Sequence, residues 1–123
     1  MKVAVYWNLH KHCFSIQSRE KENYGKVISH KDSVAVALPK FVVRQAGREK
    51  VLKEGSKNVH AFVVGYLLSN NETVVVEDKG SLVTYNPYKY KGFVKADTKE
   101  QVNEANYITM QKLEGKPVME AWL

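Results

Sequence analysis

The sequence has little of what fixes a fold covalently or anchors it in a membrane. It contains one cysteine, Cys13, which excludes an internal disulfide framework and a four-cysteine zinc site. No apolar run approaches the roughly 18 residues of a membrane-spanning helix. The first seven residues, MKVAVYW, lack the long apolar stretch of a signal peptide. We therefore expect an intracellular protein of the cytoplasm that makes no contact with a membrane.

The common catalytic signatures are missing as well. The sequence has no phosphate-binding P-loop, no dinucleotide-binding glycine pattern and no Gly-x-Ser-x-Gly nucleophile elbow. Its acidic residues do not cluster as in a two-metal nuclease, and Cys13 has no specific partner that would mark it as a nucleophile. These absences favour a binding protein over an enzyme and predict no cofactor.

The length and the apolar content predict one folded domain over residues 1–123. A hydrophobic fraction of 44% excludes a disordered chain. Val-rich and aromatic runs at Lys2–Asn8 and Cys13–Ser18 predict a β-hairpin. Further strands are predicted at 26–29, 33–38, 58–68, 73–77, 81–85, 106–111 and 117–123, with a turn at 69–72.

One helix is predicted over about 44–54, with Gly55 as its stop and Gly47 as its weak point. The spacing of Thr98 and Gln101 fits either a short helix through residue 105 or a surface turn. The fold class that results is α+β and mostly β. It is a compact antiparallel sheet, barrel or sandwich with one short helix.

Positive charge is unevenly distributed along the chain. The net charge is +6; residues 1–60 carry 12 basic and 5 acidic side chains, a net of +7, and residues 61–123 carry 7 and 8, a net of −1. Such asymmetry is typical of a surface that meets nucleic acid, a nucleoprotein or an acidic protein. Scattered solvated lysines are the alternative interpretation.

Basic residues recur at near-helical spacing around the predicted helix. Lys40, Arg44 and Arg48 would lie along one helix face if the helix reached back to Lys40, and Lys53 and Lys57 continue the series. Such a stripe can follow a nucleic-acid backbone or cover an acidic protein groove. A solvated helix face remains the alternative.

The segment from residue 85 to residue 91, here called the tyrosine–lysine segment, begins with Tyr85 and then alternates tyrosine with lysine from Tyr88 to Lys91. Tyrosine rings stack on bases or fill pockets of a protein partner, and lysines pair with phosphate or carboxylate. An edge strand with inward tyrosines and protective lysines is the alternative. The candidate contact residues are Tyr85, Tyr88, Lys89, Tyr90 and Lys91.

The histidines permit two further hypotheses. His10 and His12, with Cys13 or His60, would form only an incomplete zinc shell, so no metal site is predicted. His10 and His60, with Lys57 or Lys11 as the cation, would supply the groups of a metal-independent nuclease or phosphodiesterase. Nothing in the sequence shows that His10 and His60 meet.

Four segments together resemble a group of short proteins encoded by tailed bacteriophages. They are residues 5–11 (VYWNLHK), 45–52 (QAGREKVL), 57–63 (KNVHAFV) and 84–88 (TYNPY). The resemblance covers most of the chain, and residues 19–24 look like an insertion relative to it. It implies no catalytic residues.

The resemblance changes which functions are expected. Small basic phage proteins often bind nucleic acid or occupy the nucleic-acid site of a host enzyme, so the leading expectation is an accessory protein that binds a host protein or nucleoprotein. An inhibitor of host defence of the anti-CRISPR type is its sharpest form. Direct DNA or RNA binding and the nuclease are the alternatives. The expected contact residues are Arg44, Arg48, Lys53 and Lys57 with the tyrosine–lysine segment.

Overall fold

Alternating apolar and polar side chains form strands through much of the chain. A computed structural model describes residues 1–68 and 79–123. Within these residues the strands are β1 (Lys2–Asn8), β2 (Cys13–Ser18), β3 (Val27–Lys31), β4 (Ser33–Val43), β5 (Ala61–Leu67), β6 (Ser81–Thr84), β7 (Val94–Lys95), β8 (Tyr107–Leu113) and β9 (Lys116–Trp122). The helix α1 is Gln45–Glu54. In this described part of the chain, no helix is both long enough and apolar enough to cross a membrane.

The strands form one open antiparallel sheet in the order β3-β2-β1-β5-β4-β8-β9-β6-β7. The predicted mostly-β class with one short helix is therefore confirmed, and of the three architectures considered the sheet is the one found. The predicted hairpin of β1 and β2 is also confirmed. Strand β5 lies between β1 and β4, so Val63 faces Val5 on one side and Phe41 on the other.

The hydrophobic core lies on one face of the sheet. Side chains alternate across a strand, and the paired residues Val5, Ile16 and Val63 all point to this face. Phe93 and Val102 join them from segments between strands. The buried core cluster comprises Val3, Val5, Phe14, Ile16, Val34, Val36, Phe41, Val63, Val83, Phe93, Val102, Ile108, Met110 and Ala121.

Helix α1 occupies the predicted place and ends as predicted. Gly55 adopts the left-handed conformation, with φ of 68°, and its N–H bonds the carbonyl of Val51. Gly47, expected to weaken the helix, has a packing role instead. A Cβ atom at residue 47 would lie 2.7 Å from the Cβ of His60. The missing side chain therefore lets α1 approach the start of β5.

One expectation near the helix needs correction, and one pair of alternatives is decided. Lys40 lies in β4, which continues to Val43, so the helix does not reach back to Lys40 and the predicted single-face stripe of Lys40, Arg44 and Arg48 is wrong. Of the two alternatives for residues 98–105, the short helix does not form: Thr98 ends a turn, and Gln101 and Glu104 form isolated bridges. The predicted turn at 69–72 and strand at 73–77 lie outside the described residues.

Candidate functional site

Helix α1 is joined to the tyrosine–lysine segment through side-chain hydrogen bonds. The Nε of Arg48 donates to the carbonyls of Pro87, at 3.1 Å, and Tyr90, at 3.0 Å. The amide of Gln45 donates to the carbonyl of Lys91 at 2.7 Å. Arg48 thus holds the segment against the helix. The exposed residues that the sequence proposed for binding around the helix and on this segment are here called the helix–loop surface: Lys53, Lys57, Tyr88, Lys89 and Lys91.

Tyr85 belongs to the interior more than to that surface. Its ring stacks on Phe93 with centroids 5.3 Å apart, and its hydroxyl lies 2.7 Å from Nε2 of His60. Burial raises the pKa of the Tyr85 hydroxyl above its usual 10.0, and the positive charge of Arg48 opposes part of that rise. Tyr85 therefore connects the loop to the core.

His60 is buried with both ring nitrogens engaged. Its Nδ1 lies 2.8 Å from the carbonyl oxygen of Asn58, which only accepts, so Nδ1 donates. In the neutral imidazole, Nε2 then accepts from the Tyr85 hydroxyl. The amide of Asn58 in turn donates to the carbonyl of Gly47. These bonds tie β5, α1 and the loop together.

His10 has different surroundings. It is exposed in the turn after β1, where its main-chain N–H donates to the side-chain oxygen of Asn8. The neighbouring Lys11 contacts a different histidine, since its Nζ lies 3.4 Å from Nε2 of His30. Nδ1 of His30 in turn lies 2.8 Å from the hydroxyl of buried Ser15. His30 escaped the sequence analysis because its pairing with Ser15 depends on the β2–β3 register.

The histidines do not assemble a metal site. Among residues 1–68 and 79–123, no three His, Cys, Asp or Glu side chains gather closely enough to hold a metal ion. His10, His12 and Cys13 therefore do not complete a zinc shell with His60.

A basic pocket lies on the face of the sheet opposite the core. Phe62 points to this face because its neighbour Val63 points into the core. The pocket has a volume of about 270 Å³ and is here called the arginine pocket. Its lining residues are Lys2, Arg19, Tyr24, Val42, Arg44, Phe62 and Val64.

Backbone geometry explains why Arg44 reaches this pocket. Val42 pairs with Phe62 and shares its face of the sheet. Arg44 caps α1 with extended torsion angles, φ −80° and ψ 108°, so strand alternation continues through it and returns its side chain to the face of Val42. Arg48, one helical turn later, points toward the loop instead.

Two arginines lie over one phenylalanine ring in the pocket. The guanidinium carbons of Arg44 and Arg19 lie 5.0 Å and 5.6 Å from the ring centroid of Phe62. That of Arg19 also lies 4.8 Å from the ring centroid of Tyr24. Each such contact contributes about 0.5–1 kcal/mol at an exposed site. The aromatic rings therefore help to hold two like charges side by side.

The charges of the pocket are not neutralised within it. Of the residues described, no acidic side chain lines the pocket, and none accepts a hydrogen bond from the guanidinium group of Arg19 or Arg44. Glu20 lies beside the pocket and accepts from the main-chain N–H of Lys2 at 3.1 Å. As far as residues 1–68 and 79–123 are concerned, the guanidinium donors are therefore available to an anion.

A family model described as the Mycobacterium phage L5 gene 82 protein matches residues 1–116. The chain belongs to this gene 82 family. The gene 82 protein of Mycobacterium phage L5 is 42% identical to it over 105 residues, which cover 80% of each chain. The predicted phage resemblance is thus confirmed, and the chain is a bacteriophage accessory protein. No solved structure matches the chain.

Most of the arginine pocket was not predicted from the sequence. Arg44 was a candidate, but Lys2, Arg19, Tyr24 and Phe62 were not. The alternation of β5 gives a signal for Phe62, which must face away from Val63. No local signal brings residues 2, 19 and 24 to that face, because this requires β1 to pair with β5.

Proposed function

We propose that this gene 82 family member is a non-catalytic binding protein whose partner is the nucleic acid of a host nucleoprotein. The observation that carries the proposal is the pair of guanidinium groups over Phe62 with no acidic partner among the described residues. Guanidinium forks match phosphate oxygens, and Lys2 adds a third positive charge to the pocket.

The position of the pocket supports nucleic acid over an acidic protein groove. The pocket lies on an open sheet face and combines cations with the tyrosine ring of residue 24. Basic grooves with aromatic side chains are typical of proteins that bind nucleic acid strands. The excess positive charge of residues 1–60 adds a long-range attraction to a polyanion.

The sharpest form of this proposal is inhibition of a host defence complex. A phage protein that covers the nucleic acid of such a complex blocks target binding, as an anti-CRISPR protein does. This role places the protein in the cytoplasm of the infected bacterium. Membership of a phage family supports a role in the infected host, and the pocket chemistry supports the nucleic acid as the point of contact.

The helix–loop surface supports a second candidate, contact with a host protein. Tyr88 is 62% exposed, and Arg48 contacts the loop that carries it through the carbonyls of Pro87 and Tyr90. Exposed tyrosines on ordered loops are typical anchors of protein interfaces. This surface would bind a protein component of the nucleoprotein.

The nuclease hypothesis receives less support from the geometry. Both ring nitrogens of His60 are used inside the protein, whereas a general acid or base needs one of them to face the substrate. A cleavage assay with chelator present tests it directly. Product formation that His60→Ala abolishes would replace the binding proposal with a catalytic one.

The binding proposal is tested by fluorescence anisotropy with labelled single-stranded and duplex oligonucleotides over a range of salt concentrations. We expect binding that weakens steeply with salt, because each neutralised phosphate releases counterions. Arg44→Ala should weaken it by about 10-fold or more, whereas Lys116→Ala, which removes the same charge at the start of β9, should have little effect. Absence of binding to every oligonucleotide at low salt contradicts the proposal.

A further inference from the structure

Two exposed tyrosine rings flank the cations of the arginine pocket. Tyr24 is 63% exposed beside Arg19, and Tyr66 is 49% exposed directly across from Lys2 in the β1–β5 pairing. Cross-strand partners place their Cβ atoms about 5 Å apart, so the side chains of Tyr66 and Lys2 start next to each other on the same face of the sheet. The surface therefore alternates ring, cation and ring.

The ring within the pocket has a different role from these two. Phe62 is only 3% exposed, because Arg19 and Arg44 cover its face and Tyr6 meets it edge-on at 5.8 Å. A base therefore cannot stack on Phe62. Phe62 supports the two guanidinium groups, and stacking is left to Tyr24 and Tyr66.

We propose that the arginine pocket binds a single-stranded nucleic acid, with a phosphodiester between Arg19 and Arg44 and unpaired bases on Tyr24 and Tyr66. This inference rests on the proposed function and specifies its ligand. The guanidinium edges that Phe62 does not cover donate to the phosphate oxygens. Lys2 supplies charge for the next phosphate beside Tyr66.

The same features disfavour duplex nucleic acid. Bases in a duplex stack on each other and are not available to a tyrosine ring, whereas a single strand turns its bases outward at little cost. The cavity of about 270 Å³ lies near the lower limit of small-molecule sites and admits about one nucleotide unit at a time. A flat basic surface would suit a duplex better.

A set of matched variants separates the contribution of ring stacking to affinity from the contribution of charge. The probe is a labelled oligothymidylate of about 12 nucleotides, compared with a blunt duplex of equal length and with inorganic phosphate as competitor. We expect Tyr24→Ala to weaken single-strand binding about 5- to 100-fold, and Tyr24→Phe, which keeps the ring, to retain it. Arg44→Lys should bind less tightly than the parent chain, because it keeps the charge and loses the fork.

Each outcome bears on a different claim. This inference is overturned if Tyr24→Ala and Tyr66→Ala leave single-strand binding unchanged, or if the duplex binds equally tightly. The proposed function still stands in that case if Arg44→Ala weakens the binding of both ligands. Competition by inorganic phosphate as effective as that by the oligonucleotide overturns it in favour of a free-phosphate site. Failure of every oligonucleotide to bind overturns both. The variants change exposed side chains, and circular dichroism of each variant is the check that it remains folded.

Discussion

Arg44 and Arg48 are one helical turn apart in sequence, yet their side chains serve opposite sides of the structure. Arg44 lies over Phe62 on the open face of the sheet, and Arg48 donates to the carbonyls of Pro87 and Tyr90. The difference follows from the backbone, because Arg44 is still extended and Arg48 is helical. We therefore expect substitution of Arg44 to weaken binding and substitution of Arg48 to lower stability.

Loss of Arg48 is expected to destabilise the fold. Arg48→Ala removes a charge-assisted hydrogen bond that the single Nε–H shares between two acceptors, and it leaves the carbonyls of Pro87 and Tyr90 without this donor. We expect a loss of about 1–3 kcal/mol in the free energy of unfolding, measured by urea denaturation. Lys50→Ala, on the exposed side of the same helix, is the control and should change it by about 0.5 kcal/mol at most. Equal effects of the two substitutions would contradict the role of Arg48 as a structural contact.

Gly47→Ala is expected to destabilise the protein although alanine favours helices. In an unconstrained helix this substitution adds about 1 kcal/mol of stability. Here the new Cβ would lie 2.7 Å from the Cβ of His60, so α1 or β5 has to move. The measurement is thermal unfolding of the variant beside Ala46→Gly at the neighbouring exposed position. A rise in midpoint for Gly47→Ala would show that α1 does not pack closely on His60.

Tyr85→Phe isolates the hydroxyl that reaches His60. The substitution keeps the ring stacked on Phe93 but leaves Nε2 of buried His60 without its partner. We expect the free energy of unfolding at neutral pH to fall by about 1–3 kcal/mol, measured by urea denaturation. Tyr88→Phe removes the same hydroxyl from an exposed ring and serves as the control. A cost no greater than that of the control would show that the bond to His60 contributes nothing.

The burial of Tyr85 leads us to expect that the parent chain and Tyr85→Phe differ in how their stability changes at alkaline pH. Burial raises the pKa of Tyr85 in the folded protein above 10.0, so the folded state favours the protonated hydroxyl. Its contribution is complete below the unfolded value and is lost as pH rises through the folded value. Stability of the parent chain should therefore fall more steeply above pH 10 than that of Tyr85→Phe. Parallel pH profiles for the two proteins would contradict this.

Glu20→Gln is expected to strengthen oligonucleotide binding. The carboxylate of Glu20 accepts from the main-chain N–H of Lys2 beside the arginine pocket, where it repels phosphate. Removing one exposed charge should raise affinity about 2- to 5-fold at low salt and less at high salt. Glu114→Gln, in the turn between β8 and β9, is the matched control. An equal gain in the control would indicate a general effect of net charge.

Local features of the fold were predictable from the sequence. The β1–β2 hairpin follows from alternation on both sides of a polar turn, and the end of α1 follows from Gly55. The sequence leaves the place of Lys40 open, because its apolar neighbours 41–43 are compatible with either a strand or the first turn of a helix. Cross-strand pairing with β5 decides in favour of the strand, since Phe41 faces Val63.

The candidate site was predictable only in part. Arg44 was identified by its charge, but it was grouped with Arg48, from which the backbone separates it. The arginine pocket needs residues near 2, 19, 44 and 62 on one face, which depends on the strand order and register of β2, β1, β5 and β4. That order is a non-local property, and no short pattern encodes it.

Phe62 gives the arginine pocket a property that its cations alone would lack. Long arginine side chains lose about 2 kcal/mol of rotamer entropy each when a ligand immobilises them. Because one buried ring lies under both guanidinium groups, part of that ordering takes place as the protein folds. The pocket is thus preorganised by a residue that touches no ligand. The distance between its two charges is set by packing before any partner arrives.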